Sequence, residues 1–172
     1  MTTISEFIKS NALEETIVTN CPKYREKFLK IVDKSSVGES DTKDKQALNK
    51  IRSTRSWNWA AFLFNTHWAI YRKEKLLGWA LFIITWLIAV ISTIYMSVPL
   101  VDKFGNFFPL FVAVFVGMYG NSYVLHNSIQ TYEQTTSSKD REQRSPTGLA
   151  VAIVIDIVSI GIIGFLIFEE VI

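Results

Sequence analysis

Residues 76–100 of this 172-residue chain carry no charged side chain. Residues 107–126 carry none unless His126 is protonated, and residues 148–168 have Asp156 as their only ionisable group. A helix needs about 20 predominantly apolar residues to cross the roughly 30 Å hydrocarbon core of a bilayer. Each of the three runs is long enough, and a water-soluble fold of this size has no use for three such unpatterned stretches. The expectation is an all-α integral membrane protein with three transmembrane helices at about 76–100, 107–126 and 148–168. An interfacial amphipathic helix and short cytoplasmic helices precede them.

The basic residues predict how the chain threads. Fourteen of the 18 Lys/Arg precede residue 76, and Lys139, Arg141 and Arg144 fall between the second and third runs. Only Lys103 lies between the first two. Because Lys and Arg are retained inside, the N-terminus is expected in the cytoplasm and the C-terminus outside. The first 20 residues lack a continuous apolar core, so the first span is expected to serve as the insertion signal. The short outer loop 101–106 makes spans one and two an antiparallel hairpin. Pro109 suits the opening turn of span two, and Ser145-Pro146-Thr147 the start of span three.

Just ahead of the first run stands WNWAAFLFNTHWAIYRKEK, residues 57–75. Aromatic rings followed by clustered positive charge suit the water–lipid boundary, where Trp and Tyr settle at headgroup level and Lys and Arg meet anionic lipid. Drawn as one helix, Trp57, Ala61, Phe64, Trp68 and Tyr71 share a face. Trp57, Trp59, Phe64, Trp68, Tyr71, Arg72, Lys73 and Lys75 are the expected interfacial anchor. About 15 apolar-leaning residues, roughly 22 Å of helix, fall short of a crossing, so the element is read as interfacial or shallowly re-entrant.

Residues 1–56 hold 11 Lys/Arg and 8 Asp/Glu. Three helical patterns are visible at 3–18, 23–34 and 42–55. A unit this small is marginal alone and is expected to fold on the membrane helices or on a partner. The near balance of charge and the lack of a binding motif argue against nucleic acid. The lone Cys21 forms no disulfide framework, and the two histidines have no Cys or carboxylate at ligand spacing, so neither a metal nor a cofactor is expected. No nucleophile–base arrangement is present, and no enzymatic activity is expected.

The block SWNWAAFLFNTHWAIYRK, with GMYGNSYVLHNSI near the end of the second run, resembles a bacterial family of small membrane proteins designated domain of unknown function 2628. The resemblance covers roughly residues 24–133, with Phe28 in its lead-in and Asn121, Tyr123 and His126 in its N-x-Y-x-x-H element. The chain departs from the family at Asn65-Thr66-His67, where a Gly-Pro-aromatic turn is expected. The resemblance implies a membrane protein and brings no activity with it.

Asp156 is expected to point into the bundle, because a carboxylate in hydrocarbon costs several kcal/mol unless paired, protonated or wetted. Gly148, Ala152, Asp156 and Ser159 share one stripe, and small residues let helices approach closely. Counting from the cytoplasmic ends places Thr85 and Asn121 within reach, with His126 nearer the surface, as an intramembrane polar cluster. Two uses are open. Asp156 is either a pin that fixes helix register or part of a proton or cation relay. The expected function is correspondingly a non-enzymatic membrane protein that binds a membrane protein partner or itself, as an accessory, regulatory or immunity-type factor. The alternative is a small proton- or ion-linked transporter or channel subunit built on Asp156.

Overall fold

The computed structural model describes residues 2–95, 98–135, 137 and 141–171, and the named elements among them are all helical. The helices are α1 (Ile4–Lys9), α2 (Ala12–Thr16), α3 (Cys21–Ser35), α4 (Lys45–Ser53), α5 (Trp59–Tyr71), α6 (Leu81–Ile94), α7 (Pro99–Gln134) and α8 (Pro146–Val171). A π-helical turn, Lys75–Ala80, leads into α6. Two of the helical stretches, Leu77–Ile94 and Lys103–Gln134, are long and apolar enough to cross a membrane. In α8 the apolar stretch with described side chains is the shorter Pro146–Ile162. Lys139 lies outside the described residues, as do the side chains of the last nine residues of α8 and Phe168 among them.

The N-terminal sequence forms four short helices, because Ser10-Asn11 splits the first pattern. The Ser10 hydroxyl accepts from the Ala12 amide at 3.2 Å and donates to the Phe7 carbonyl, which ends α1 and starts α2. Thr3 and Glu6 form a reciprocal capping box on α1, and Asp44 caps α4. These helices have no core of their own. Phe7, Phe28, Ile31 and Ile51 belong to one apolar cluster with Val124, Leu125 and Ile129 of α7. Cys21 is buried in the same cluster as a free thiol.

α7 is the axis of the molecule. Its 36 residues make a rod of about 54 Å, well beyond the thickness of a hydrocarbon core. α1–α4 coat its C-terminal half, and α5 and α6 pack along the rest. The loop expected at 101–106 is instead the first part of α7, and Pro109 sits inside the helix rather than in its opening turn. Pro99 takes the opening position, where its missing N–H costs nothing. The turn signal of Gly105-Asn106 is overridden because Gly105 packs closely on Ser92 of α6. The hairpin of α6 and α7 is also held where the Ser92 hydroxyl donates to the Val101 carbonyl at 3.3 Å.

α5 is not one straight helix. Asn65 has φ 47° and ψ −129°, which breaks α5 into arms 59–64 and 66–71. The register along α7 then reverses. Asn58 meets Gly117, Asn65 reaches toward Pro109, and Trp68 returns to Gly120. That describes a helical hairpin with its tip at Asn65. The phase reset at the break also undoes the single face drawn from the sequence, since Ala61 and Trp68 are buried while Phe64 is 64% exposed.

Asn65 occupies a backbone region that only glycine enters freely, at a cost of about 1–3 kcal/mol for other residues. Asn65→Gly should therefore raise the unfolding midpoint of the purified protein by the equivalent of about 1 kcal/mol. Asn65→Val should lower it, as read by thermal unfolding in mild detergent.

Candidate functional site

The linker 54–58 runs extended along α7 and is fastened to it at each step. The Ser56 and Asn58 amides donate to the carbonyls of Met118 and Gly117, both at 2.8 Å. Asn121 is fully buried, and its amide nitrogen donates toward the Ser56 carbonyl, the Ser56 hydroxyl and the Trp57 carbonyl at 3.2–3.3 Å. Its carbonyl oxygen accepts from Asn58 Nδ2 at 2.8 Å. The Asn58 Oδ1 in turn caps α5 through the Ala61 amide at 3.2 Å. The Ser122 hydroxyl donates to the Thr54 carbonyl.

Glycine permits this closeness. A Cβ on Gly117 would lie 2.9 Å from the Phe62 Cβ, and one on Gly120 would lie 2.8 Å from the Trp68 ring. NWAAF of the linker and α5 and GMYGNSY of α7 are therefore the two sides of one contact. The family described as "Protein of unknown function (DUF2628)" matches residues 13–128, a stretch that holds both sides. The chain belongs to this family. Neither the curated proteins nor the solved structures include a match to it.

Within this DUF2628 chain, the polar residues singled out from the sequence do not form one cluster. Asp156 pairs with His67, Nε2 to Oδ2 at 2.8 Å, and not with Thr85 or Asn121. The cause is the α5 hairpin, which takes the place against α8 that the sequence reading gave to α6 and α7. His67 also meets the Phe82 ring edge-on at 5.5 Å. The stripe on α8 faces the same way. Gly148 lies on Ile70, Ala152 is buried with Ile70 and Phe82, and the Ser159 hydroxyl accepts from Trp86 Nε1 at 2.7 Å. The Thr85 hydroxyl is buried without a partner, and Asn121 is committed to the linker. His126 stands half-buried on α7 near Arg52, whose guanidinium covers the Tyr123 ring at 4.7 Å.

The anchor residues divide in two. Trp57, Trp59 and Phe64 present exposed rings, and Lys73 and Lys75 are exposed. Tyr71 is half-buried, whereas Trp68 and Arg72 belong to the interior. Trp68 fills the space left by Gly120. Arg72 lies over the rings of Tyr24, at 4.7 Å, and Tyr71, at 5.6 Å, with Nε and Nη1 buried and unpartnered. The ring faces supply the compensating attraction that a headgroup was expected to give.

Sequence reasoning missed Glu74. It was the one acid inside Arg-Lys-Glu-Lys, and a tally of basic residues passes over it. The signal lay in its place two residues before an uncharged run. Lys73, at φ 58°, ends α5 and lets the Glu74 amide return to the Ala69 carbonyl at 2.9 Å, which carries the side chain inward. The carboxyl is 6% exposed, with Asn127 as a hydrogen-bond partner and one oxygen unpartnered. Burial pushes its pKa up from the ordinary 4.5 to about 8, against the smaller opposing pull of Asn127 and Arg52.

Folded protein thus keeps a proton on Glu74 where the unfolded chain has already lost it. The associated stability is fully present below about 4.5 and is lost as pH rises to about 8, an effect on the order of a few kcal/mol. Glu74→Gln should flatten the pH dependence of the thermal midpoint across that window and stabilise the protein most at its alkaline end.

Proposed function

We propose that this DUF2628 protein is a non-enzymatic, three-span protein of the bacterial cytoplasmic membrane that works by binding a partner within the bilayer. Its N-terminus is cytoplasmic and its C-terminus outside. α6, α7 and α8 are the spans, and the α5 hairpin enters the cytoplasmic leaflet without crossing.

The observation that carries this reading is the shared core of α1–α4 with the C-terminal half of α7. It brings the N-terminal region, the far end of α7 and the start of α8 to one side, the side to which the Lys/Arg bias assigns the cytoplasm. The Gln143 amide donates to the Thr16 carbonyl, and Arg141 covers the Tyr132 ring, so the loop before α8 belongs to the same layer. Beyond that layer, α6 and α8 turn Ile84, Leu87, Ile91, Val154, Ile157 and Ile160 outward, which suits lipid or another helix. α8 is the element that suits partner contact best. Its small-residue stripe is taken up by α5 and α6, and its opposite face is unoccupied among the described residues.

The pairing of His67 with Asp156 favours a second reading, a proton-linked transporter or channel subunit. Two titratable groups meet two residues past the tip of a broken helix, and both are partly exposed. Histidine and carboxylate pairs of this kind pass protons in membrane pumps. Proteoliposomes carrying a pH-sensitive dye separate the two readings. Partner binding predicts no protein-dependent proton flux in wild type or in Asp156→Asn, with the amide variant as stable as wild type because it still accepts from His67. A flux in wild type that disappears in a stable Asp156→Asn variant would establish the transporter reading and overturn ours.

A further inference from the structure

A groove of about 390 Å³ opens between α3 and the 54–58 linker, lined by Lys30, Lys34, Arg55 and Trp57 with Ile31 beside them. Asp33 is the one acid among the lining residues, so three cations face one carboxylate. Little of that charge is used within the chain. Lys30 pairs with Glu26 at 2.6 Å, but both side chains are about 70% exposed, and such pairs are weak. The Lys34 ammonium makes one long bond, 3.4 Å, to the Arg55 carbonyl. Arg55 donates through Nε to the Tyr119 hydroxyl at 3.2 Å, and its terminal nitrogens have no acceptor among the described residues.

The other end of the groove is aromatic. The Trp57 ring packs on Trp59 and on Phe62, each at 5.3 Å. From Trp59, which is 66% exposed, the apolar surface continues over Leu63 and Phe64 along the outer face of α5. Charge above and an open aromatic and aliphatic surface below match an amphiphile with an anionic head. A free nucleotide or an acidic peptide has no use for the exposed apolar continuation.

We propose that this groove binds an anionic phospholipid. Lys30, Lys34 and Arg55 hold the phosphodiester, and Trp57 packs on the glycerol end of the molecule. The site rests on the membrane reading above, and it moves the lipid-selective positive charge away from Arg72, which is buried, to the face of α3.

The test uses the full-length protein in nanodiscs of equal phosphatidylglycerol and phosphatidylcholine, with native mass spectrometry to count the lipids that leave with the protein. Phosphatidylglycerol should be retained preferentially. Lys34→Gln with Arg55→Gln should reduce that preference by about fivefold for each charge removed. Lys30→Gln, whose side chain bonds only to Glu26 among the described residues, should reduce it in the same direction without altering the thermal midpoint. Lys45→Gln with Lys50→Gln, exposed on α4 and outside the groove, should leave it unchanged. Excess inorganic phosphate should not displace the lipid. A preference that survives the groove substitutions, one lost equally with the α4 pair, or displacement by phosphate alone would each overturn the site. Failure to enter nanodiscs would overturn the membrane reading, whereas entry with no lipid preference would overturn the groove alone.

Discussion

The organisation of this protein depends on one buried amide. Asn121 sits fully inside α7 and spends its donors and its acceptor on the 54–58 linker. Without it, the buried Asn58 side chain would lose its acceptor, at about 1–3 kcal/mol, and the part-buried Ser56 and Trp57 carbonyls would each lose a donor. Those contacts set where the linker lies, the linker sets where α5 begins, and Asn58 caps α5. The layer of α1–α4 is thereby joined to the helices that follow. Gly117 and Gly120 are the steric counterpart, since no side chain fits where Phe62 and Trp68 approach α7.

From that anchor the α5 hairpin reorders the rest. Because it turns back at Asn65, it presents His67 to α8 and withdraws Trp68 and Arg72 from the surface. It also packs against α8, so Asp156 finds a histidine of the hairpin and not the hydroxyl or amide of another helix. Thr85 pays for this arrangement with a buried hydroxyl that has no partner. The end of the hairpin is equally defined. Lys73 in a left-handed conformation turns Glu74 inward, under α4 and against α7, immediately before the π-helical turn that opens α6.

Much of the architecture was legible in the sequence because it follows from composition and period. The helical class, the apolar stretches of α6 and α7 and the start of α8 at Pro146 all rest on local signals. The family resemblance pointed to the right two blocks, but the departure at Asn65 argued against the family's bend, which the structure nevertheless keeps with asparagine in a glycine-type conformation. The partner of Asp156 was not legible. Counting residues from each end of a span fixes a level but not a neighbour, and it had no means of inserting a broken helix between spans. Arg72 and Glu74 were misjudged for a related reason. A tally of charges beside an apolar run treats them alike, whereas the turn at Asn65 withdraws Arg72 and the left-handed Lys73 carries Glu74 inward.

Hydrogen exchange at the linker amides tests the central claim most directly. If the linker is locked to α7, the Ser56 and Asn58 amides are protected in the native protein. In Asn121→Ala they should exchange about tenfold to a hundredfold faster while the α7 amides keep their protection. Linker amides that exchange in wild type as fast as an unstructured segment, or that are unmoved by Asn121→Ala, would contradict the account.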